Sequence, residues 1–170
     1  MPYAVTHVLS TVLLVDLFRH HAYHFPRKYL IAVAFFALFP DLDIVFGTLY
    51  RLLQGDTLKH ALVNGHAYHG LWTHNFIIPV MLGLIALLLY LMHYRTATLV
   101  LGLLAFGWFF HVFLDLIAHG ISYPMMLWPF YKGPLFEGVL PLEGLAPLDA
   151  VLFLLWITHE ELAHRIKEYF

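Results

Sequence analysis

The chain has 170 residues, of which 61% are apolar and only 12% are charged, and its formal net charge is −2. A soluble domain is about half apolar and about a quarter charged, so this composition excludes an ordinary soluble domain and indicates a membrane protein. The weak net charge excludes an electrostatic surface for nucleic acid, and the absence of cysteine leaves only the 13 histidines and the carboxylates as strong metal ligands.

Five apolar segments follow one another along the chain, and we expect each to form a membrane helix. They cover residues 3–18, 29–46, 76–92, 98–118 and 148–158. The third and fourth are long enough to cross a hydrocarbon core of about 30 Å, whereas the other three are marginal in length. The first segment lacks the features of a cleaved signal peptide, so we expect it to remain on the protein. The sequence therefore predicts one all-α domain over residues 1–170, a multi-pass transmembrane helical bundle with about four to five spans.

The distribution of Lys and Arg predicts the orientation of this bundle. With five spans, six basic residues fall on one side and three on the other; the six are Arg19, Arg27, Lys28, Arg95, Arg165 and Lys167, and the three are Arg51, Lys59 and Lys132. Basic residues are enriched in cytoplasmic connections. We therefore expect the N-terminus and the two long connections, about 47–75 and 119–147, to lie outside the cytoplasm.

Histidine and aspartate concentrate at the predicted outer end of four segments. The residues are His7 in the first segment, Asp41 and Asp43 in the second, His69 and His74 before the third, and His111, Asp115 and His119 in the fourth. Scattered histidines would not be expected to reach one end of a bundle from four separate segments. The pattern predicts a metal site with these eight residues as candidate ligands.

The stretch HVFLDLIAH, residues 111–119, carries the clearest part of this pattern. Residues four apart on a helix differ by about 40° in projection, so His111, Asp115 and His119 share one face. An aspartate within a span costs about 3 kcal/mol on insertion scales and needs a partner. A divalent cation is one such partner, because it holds carboxylates ionised and imidazoles neutral together. A His–Asp hydrogen bond between helices is the alternative, and Asp41 and Asp43 alone would fit a solvated turn.

Other polar features are expected to lie away from the site. The stretch RHHAYH, residues 19–24, maps to the opposite side and is interpreted as a solvated interfacial loop. The two histidines of HEELAH, residues 159–164, are five apart and do not share a helical face, unlike those of the zinc-protease motif. Asp149 is interpreted as a residue of the first turn of a helix. Gly102 and Gly107 are interpreted as sites of close helix packing.

Four motifs occur in a recognisable order, namely THVLS, PDLD, HGLWTH and HVFLDLIAHGISYPMMLWPF. Over roughly residues 6–130 they resemble the YdjM-like family of LexA-regulated, membrane-bound metal-dependent hydrolases. The resemblance implies metal ligands at His7, Asp41, Asp43, His69, His74, His111 and Asp115. His119 has no counterpart in the family pattern. The chain departs from that pattern at Gly70, Leu71, Asn75 and Ala118, so the resemblance carries metal binding to this chain better than substrate handling.

The resemblance also implies a function. The H-x-x-x-D element is similar to that of zinc-dependent phospholipase C and P1-type nucleases, which implies hydrolysis of a phosphoester. We therefore expect a membrane-embedded, metal-dependent hydrolase of the prokaryotic inner membrane, with its site facing outside and zinc, manganese or iron as the cofactor. Asp43 is expected to bridge metals or orient water, and Asp115 to bridge metals. These two carboxylates are thus the expected catalytic residues.

The expected partners follow from the same reasoning. They are the lipid bilayer and a lipid-linked substrate, which would reach a site at this depth laterally. Nucleic acid is not expected as a partner, and the sequence makes no prediction about the oligomeric state. The alternative hypothesis is a non-enzymatic membrane protein whose metal site is structural or related to transport.

Overall fold

The computed structural model describes residues 4–65, 69–70, 73–119, 126–130 and 145–164. Its helices are α1 (Ala4–His21), α2 (Lys28–Phe36), α3 (Leu42–Leu53), α4 (Leu58–Gly65), α5 (Ile77–Leu91), α6 (Arg95–His119) and α7 (Leu145–His164), with a 3-10 turn, Phe39–Asp41, between α2 and α3. These ranges contain no β-strand. The predicted all-α fold class is confirmed.

One helix of the described residues is long and apolar enough to cross a membrane, the part of α6 from Arg95 to Ala118. The elements Lys28–Phe36 and Phe39–Leu53 meet this criterion only together, as a pair bent by 43°. α5 is apolar but has 15 residues, about 22 Å of helix against a hydrocarbon core of about 30 Å. Length and hydropathy thus identify one or two spans in the described chain, fewer than the predicted four to five.

The second predicted segment, residues 29–46, is interrupted near its middle. α2 ends at Phe36, and the chain passes through the 3-10 turn Phe39–Asp41 before α3 begins. Pro40 lacks a backbone N–H and cannot donate to the carbonyl of Phe36, four residues earlier, as a continuous α-helix would require. The proline therefore accounts for the break.

α1 and α7 run parallel and in register. The hydroxyl of Thr6 donates to the carboxylate of Asp149. Further along both helices, Nε2 of His159 lies 2.8 Å from Oδ2 of Asp16. The two partners are 143 residues apart in sequence in both pairs. The position of Asp149 corrects the interpretation as a first-turn residue. α7 begins earlier than expected, at Leu145, so Asp149 lies beyond the first turn and contacts α1 instead.

α2 and α6 approach each other most closely at Gly107. A Cβ on this residue would lie 2.9 Å from Cβ of Phe36 and 3.1 Å from the backbone nitrogen of Ala37. The approach therefore requires glycine, and it brings the end of α2 against α6. At Gly102, a Cβ would meet no atom of the described residues within 4 Å. The predicted packing role is confirmed for Gly107 but not for Gly102.

Candidate metal centre

α6 presents His111 and Asp115 one turn apart on a buried face, as their spacing predicted. Nε2 of His111 lies 3.4 Å from Oδ2 of Asp115, and both side chains are almost completely inaccessible to solvent. His119 is the last residue of α6, but its side chain lies outside the described residues. His111 and Asp115 therefore share one buried face of α6, as expected.

The ring of His111 is oriented by the end of α2. Its Nδ1 donates to the carbonyl of Ala37 at 2.6 Å, at a helix end where carbonyls lack intrahelical partners. Gly107, one turn before His111, allows α6 to approach this carbonyl. Because a carbonyl can only accept, Nδ1 carries the proton, and the neutral ring directs the lone pair of Nε2 into the site.

Asp41 reaches the site from the 3-10 turn. Its Oδ1 lies 3.4 Å from Nε2 of His111 and 3.6 Å from Nε2 of His74. The Asp41 side chain is 27% exposed, whereas those of His74, His111 and Asp115 are at most 1% exposed. Asp41 therefore marks the side from which solvent or a ligand reaches the centre.

Asp43 lies in the first turn of α3 and joins it to the segment that follows α4. Its Oδ1 accepts from Nδ1 of His69 at 3.0 Å. Its Oδ2 accepts from the backbone N–H of Gly70 at 2.8 Å and from the hydroxyl of Thr73 at 2.6 Å. Both oxygens are thus engaged by protein donors, and the carboxylate fixes the position of the chain that carries His69 and His74.

His74 is oriented by the residue before it. The hydroxyl of Thr73 donates its only proton to Asp43, so its oxygen accepts from Nδ1 of His74 at 3.1 Å. Nε2 of His74 is then unprotonated in the neutral ring and lies 3.3 Å from both Nε2 of His111 and Oδ2 of Asp115. Nε1 of Trp108 donates to the carbonyl of Thr73 at 2.8 Å, which holds this segment against α6.

Four ligand atoms converge on one point: Nε2 of His74, Nε2 of His111, Oδ1 of Asp41 and Oδ2 of Asp115. The five separations that involve a ring nitrogen are 3.3, 3.3, 3.4, 3.4 and 3.6 Å. Ligand atoms about 2.0–2.1 Å from a tetrahedral metal ion are about 3.3 Å from one another. We call these four residues the tetrahedral set, because these five separations agree with those between the ligands of a first-row divalent cation.

The tetrahedral set also has the charge of a cation site. Two carboxylates and, in the neutral rings, two nitrogen lone pairs face one another, and the two negatively charged carboxylates repel each other. Among the described residues, neither oxygen of Asp115 has a hydrogen-bond partner, although both are buried. A buried carboxylate without donors is costly. A divalent cation would balance both carboxylates and accept both nitrogen lone pairs, so the residues fit such an ion.

His7 and His69 lie beside the tetrahedral set. The ring of His7 stacks on that of His111 with centroids 3.7 Å apart, and its Nε2 lies 3.5 Å from Oδ1 of Asp115. Nε2 of His69 lies 3.9 Å from Oδ1 of Asp41. Both oxygens of Asp115 therefore face imidazole nitrogens, an arrangement suited to a carboxylate that bridges two positions.

The sequence matches a known family over almost its whole length. The YdjM inner membrane protein family matches residues 1–165. The chain belongs to this family. No match was found among curated proteins or among solved structures.

The YdjM family is a family of inner membrane proteins, which agrees with the membrane location that the motifs implied. The match continues through α7, beyond the stretch 6–130 that carries the four motifs. α7 therefore belongs to the YdjM unit, in agreement with its hydrogen bonds to α1.

In this YdjM protein, six of the eight predicted ligands form two adjoining groups that could hold a metal ion, one of His7, His111 and Asp115 and the other of Asp41, His69 and His74. Asp43 adjoins them through its hydrogen bonds to the segment after α4, and the side chain of His119 lies outside the described residues. His21 and His24 are exposed at the other end of α1. They lie apart from the centre, as expected from the sequence.

Two groups that orient the rings in this YdjM protein were not predicted from the sequence. The hydroxyl of Thr73 fixes His74, and a hydroxyl residue directly before a candidate ligand was the available signal. The carbonyl of Ala37 fixes His111. A backbone carbonyl has no sequence signature, so its role follows only from the position at which α2 ends.

Proposed function

We propose that this protein is a membrane-embedded, metal-dependent hydrolase that acts on a phosphoester, with a lipid or lipid-linked substrate. The observation that carries the proposal is the tetrahedral set, whose atoms have the spacing and the charge of a divalent cation site. Three of its four residues are buried and only Asp41 is partly exposed. A site that opens on one side suits exchange with water and substrate better than permanent closure.

Different residues of the chain would have different roles in such a site. Asp41, His74, His111 and Asp115 would hold the cation, and His7 would contribute at the free oxygen of Asp115. A bound divalent cation supplies Lewis acidity toward a phosphoryl oxygen and lowers the pKa of water. Zinc fits the donor set, as would manganese or iron.

Asp43 and Thr73 would position these ligands. Hydrogen bonds from His69, Gly70 and Thr73 engage both oxygens of Asp43, which supports a positioning role more than direct ligation or water activation. Asp41 is the carboxylate at the exposed side of the set. We therefore assign to Asp41 the contact with water or substrate that the sequence suggested for Asp43.

We further propose five membrane crossings, formed by α1, the α2–α3 pair, α5, α6 and α7, with the metal centre toward the outer side. The parallel register of α1 and α7 supports this arrangement, because an odd number of crossings must lie between two parallel spans, here the three formed by the α2–α3 pair, α5 and α6. The excess of Lys and Arg at the other ends of the helices supports the orientation.

A structural or transport-related metal site is the alternative. A transport path would need ionisable or polar groups through the depth of the bundle. α5, which runs away from the centre, has no titratable side chain from Ile77 to Leu89. This sequence favours a site confined to one depth, and the partial exposure of Asp41 favours an enzyme over a closed structural centre.

Elemental analysis and hydrolysis assays on the purified protein would test the proposed function. We expect a stoichiometric first-row metal, and chelator-sensitive turnover of at least one member of a panel of phospholipids and isoprenoid phosphates. Asp41→Asn should abolish turnover, while His24→Ala, at the far end of α1, should leave it within a small factor. A firmly bound metal without turnover on any substrate would replace the enzyme with a structural site.

A further inference from the structure

α3 directs its polar residues toward the protein and its apolar residues outward. Asp43, Gly47, Thr48 and Arg51 lie on its buried or half-buried side. Its exposed residues are Leu42, Val45, Phe46, Leu49, Tyr50, Leu52 and Leu53. At about 100° per residue these positions form a continuous face about 160° wide. A surface helix of a soluble protein has the opposite polarity, so this face is not suited to water.

α4 packs against α3 but has a different outer surface. A Cβ on Gly65 would lie 2.3 Å from Oγ1 of Thr48, so the two helices are in direct contact. The exposed residues of α4 are Leu58, Lys59, His60, Leu62, Val63 and Asn64, and half of them are polar. The two helices of this hairpin therefore present different chemistry, purely apolar on α3 and partly polar on α4.

The hairpin adjoins the metal centre at both of its ends. Asp41 directly precedes α3, and His69 follows the end of α4 by four residues. Along α6, the centre begins at His111, about 24 Å from Arg95 at the start of that helix. A hydrocarbon core is about 30 Å thick. If Arg95 lies at one membrane surface, the centre lies about 6 Å below the other surface, and the hairpin begins and ends beside it.

We propose that the exposed face of α3 lies against lipid acyl chains on the side of the membrane where the metal centre opens, and that the polar side of α4 faces water. The protein belongs to an inner membrane family, and α2 and α3 together are long and apolar enough to form one span with a bend of 43°. The bilayer is therefore the partner that fits this face. The hairpin then separates lipid from water at the metal centre.

This placement has a consequence for the substrate, which rests on the proposed hydrolase function. A phosphoester lipid would approach along α3 with its acyl chains in the bilayer, while water would approach along α4. The position of the hairpin itself does not depend on hydrolysis.

Site-directed spin labelling tests the placement, and the absence of cysteine makes every introduced cysteine unique. Val45→Cys and Leu49→Cys would label α3, and His60→Cys and Asn64→Cys would label α4. The full-length protein would be studied in nanodiscs of phosphatidylethanolamine and phosphatidylglycerol. Collisions with oxygen, which dissolves in lipid, would be compared with collisions with a water-soluble nickel chelate.

We expect oxygen to relax the α3 labels several-fold more than nickel does, and nickel to dominate for the α4 labels. Leu84→Cys, on the exposed side of α5, provides a lipid reference, and His24→Cys provides an aqueous one. None of the labelled residues is a candidate ligand. Helix content and elution volume would show that each variant is folded, and the second α3 position replaces the first if one variant is not.

Three results would overturn the proposal. Access of nickel to both α3 labels would mean that the hairpin projects into water. Protection of the α3 labels from both reagents would mean that a second copy or another protein covers this face. Equal accessibility of the α3 and α4 labels to oxygen and nickel would mean that the hairpin does not separate lipid from water. The experiment uses neither metal nor substrate, so a failed hydrolysis assay would not affect it.

Discussion

His74 and His111 face each other through Nε2 atoms 3.3 Å apart, although each ring commits its Nδ1 proton to an acceptor elsewhere. In their neutral forms, both rings direct a lone pair at the other. Asp41 and Asp115 add negative charge at the same point. A positive charge makes this arrangement favourable, and a divalent cation held by these four groups would supply it.

Removal of a ligand from α6 should remove the metal. We expect His111→Ala and Asp115→Ala each to lose most of the metal that copurifies with the wild-type protein, because each deletes one vertex of the tetrahedral set. Elemental analysis of detergent-purified protein measures the stoichiometry, with His21→Ala as the matched control. Unchanged metal content in both variants would exclude these residues from the site.

Replacement of Thr73 should weaken metal binding without removing a ligand. Thr73→Val keeps the shape of the side chain but deletes the hydroxyl between Asp43 and His74, so we expect about 10–100-fold lower affinity, as for other residues that orient metal ligands. Thr73→Ser should restore most of the affinity. Competition with a chelator provides the measurement, and wild-type affinity in the valine variant would contradict the orienting role.

The close contact between α2 and α6 predicts different effects at two glycines of the same helix. Gly107→Ala should destabilise the fold by about 1–3 kcal/mol, because the new methyl group overlaps Phe36 and Ala37. Gly102→Ala has open space and should be neutral or stabilising by up to about 1 kcal/mol, since alanine is the better helix former. Thermal unfolding in detergent compares the two. Equal stability of both variants would contradict the packing.

The five-span arrangement predicts the sides of two connections. A reporter fused after His93 should be found in the cytoplasm, and one fused after Phe130 should be found outside, because α6 lies between them and is long and apolar enough to cross the membrane. Paired phosphatase and fluorescent-protein fusions distinguish the two sides. If both fusions report the same side, α6 does not cross and the proposed topology is wrong.

The convergence of ligands could be predicted because it depends on periodicity and on the order of apolar segments. The four-residue spacing of His111 and Asp115 determines a shared helix face, whatever the rest of the fold does. The positions of His7, Asp41 and His74 near the ends of predicted helices then placed them at the same end of a bundle. These inferences required no knowledge of side-chain contacts.

The local architecture around the ligands could not be predicted in the same way. Pro40 disfavours a continuous helix, but the sequence did not reveal that α2 would stop at Phe36 and that α3 would form a separate helix. Asp41 and Asp43 were both predicted as metal ligands, and the bridging or water-orienting role was expected for Asp43. They differ because one faces the tetrahedral set and the other accepts hydrogen bonds from Gly70 and Thr73, an assignment made by tertiary contacts.

The contact between α1 and α7 can form only late in biosynthesis, because α7 is the last helix to be translated. In the proposed topology, Asp16 enters the bilayer with the first helix, 143 residues before its partner His159 is translated. During that interval Arg19, one turn further along α1, can already bond to Asp16, at 2.6 Å in the folded protein. This local ion pair would compensate the charge of Asp16 in the nascent chain until α7 packs against α1. Chains that terminate before α7 would leave this side of α1 without its partner helix.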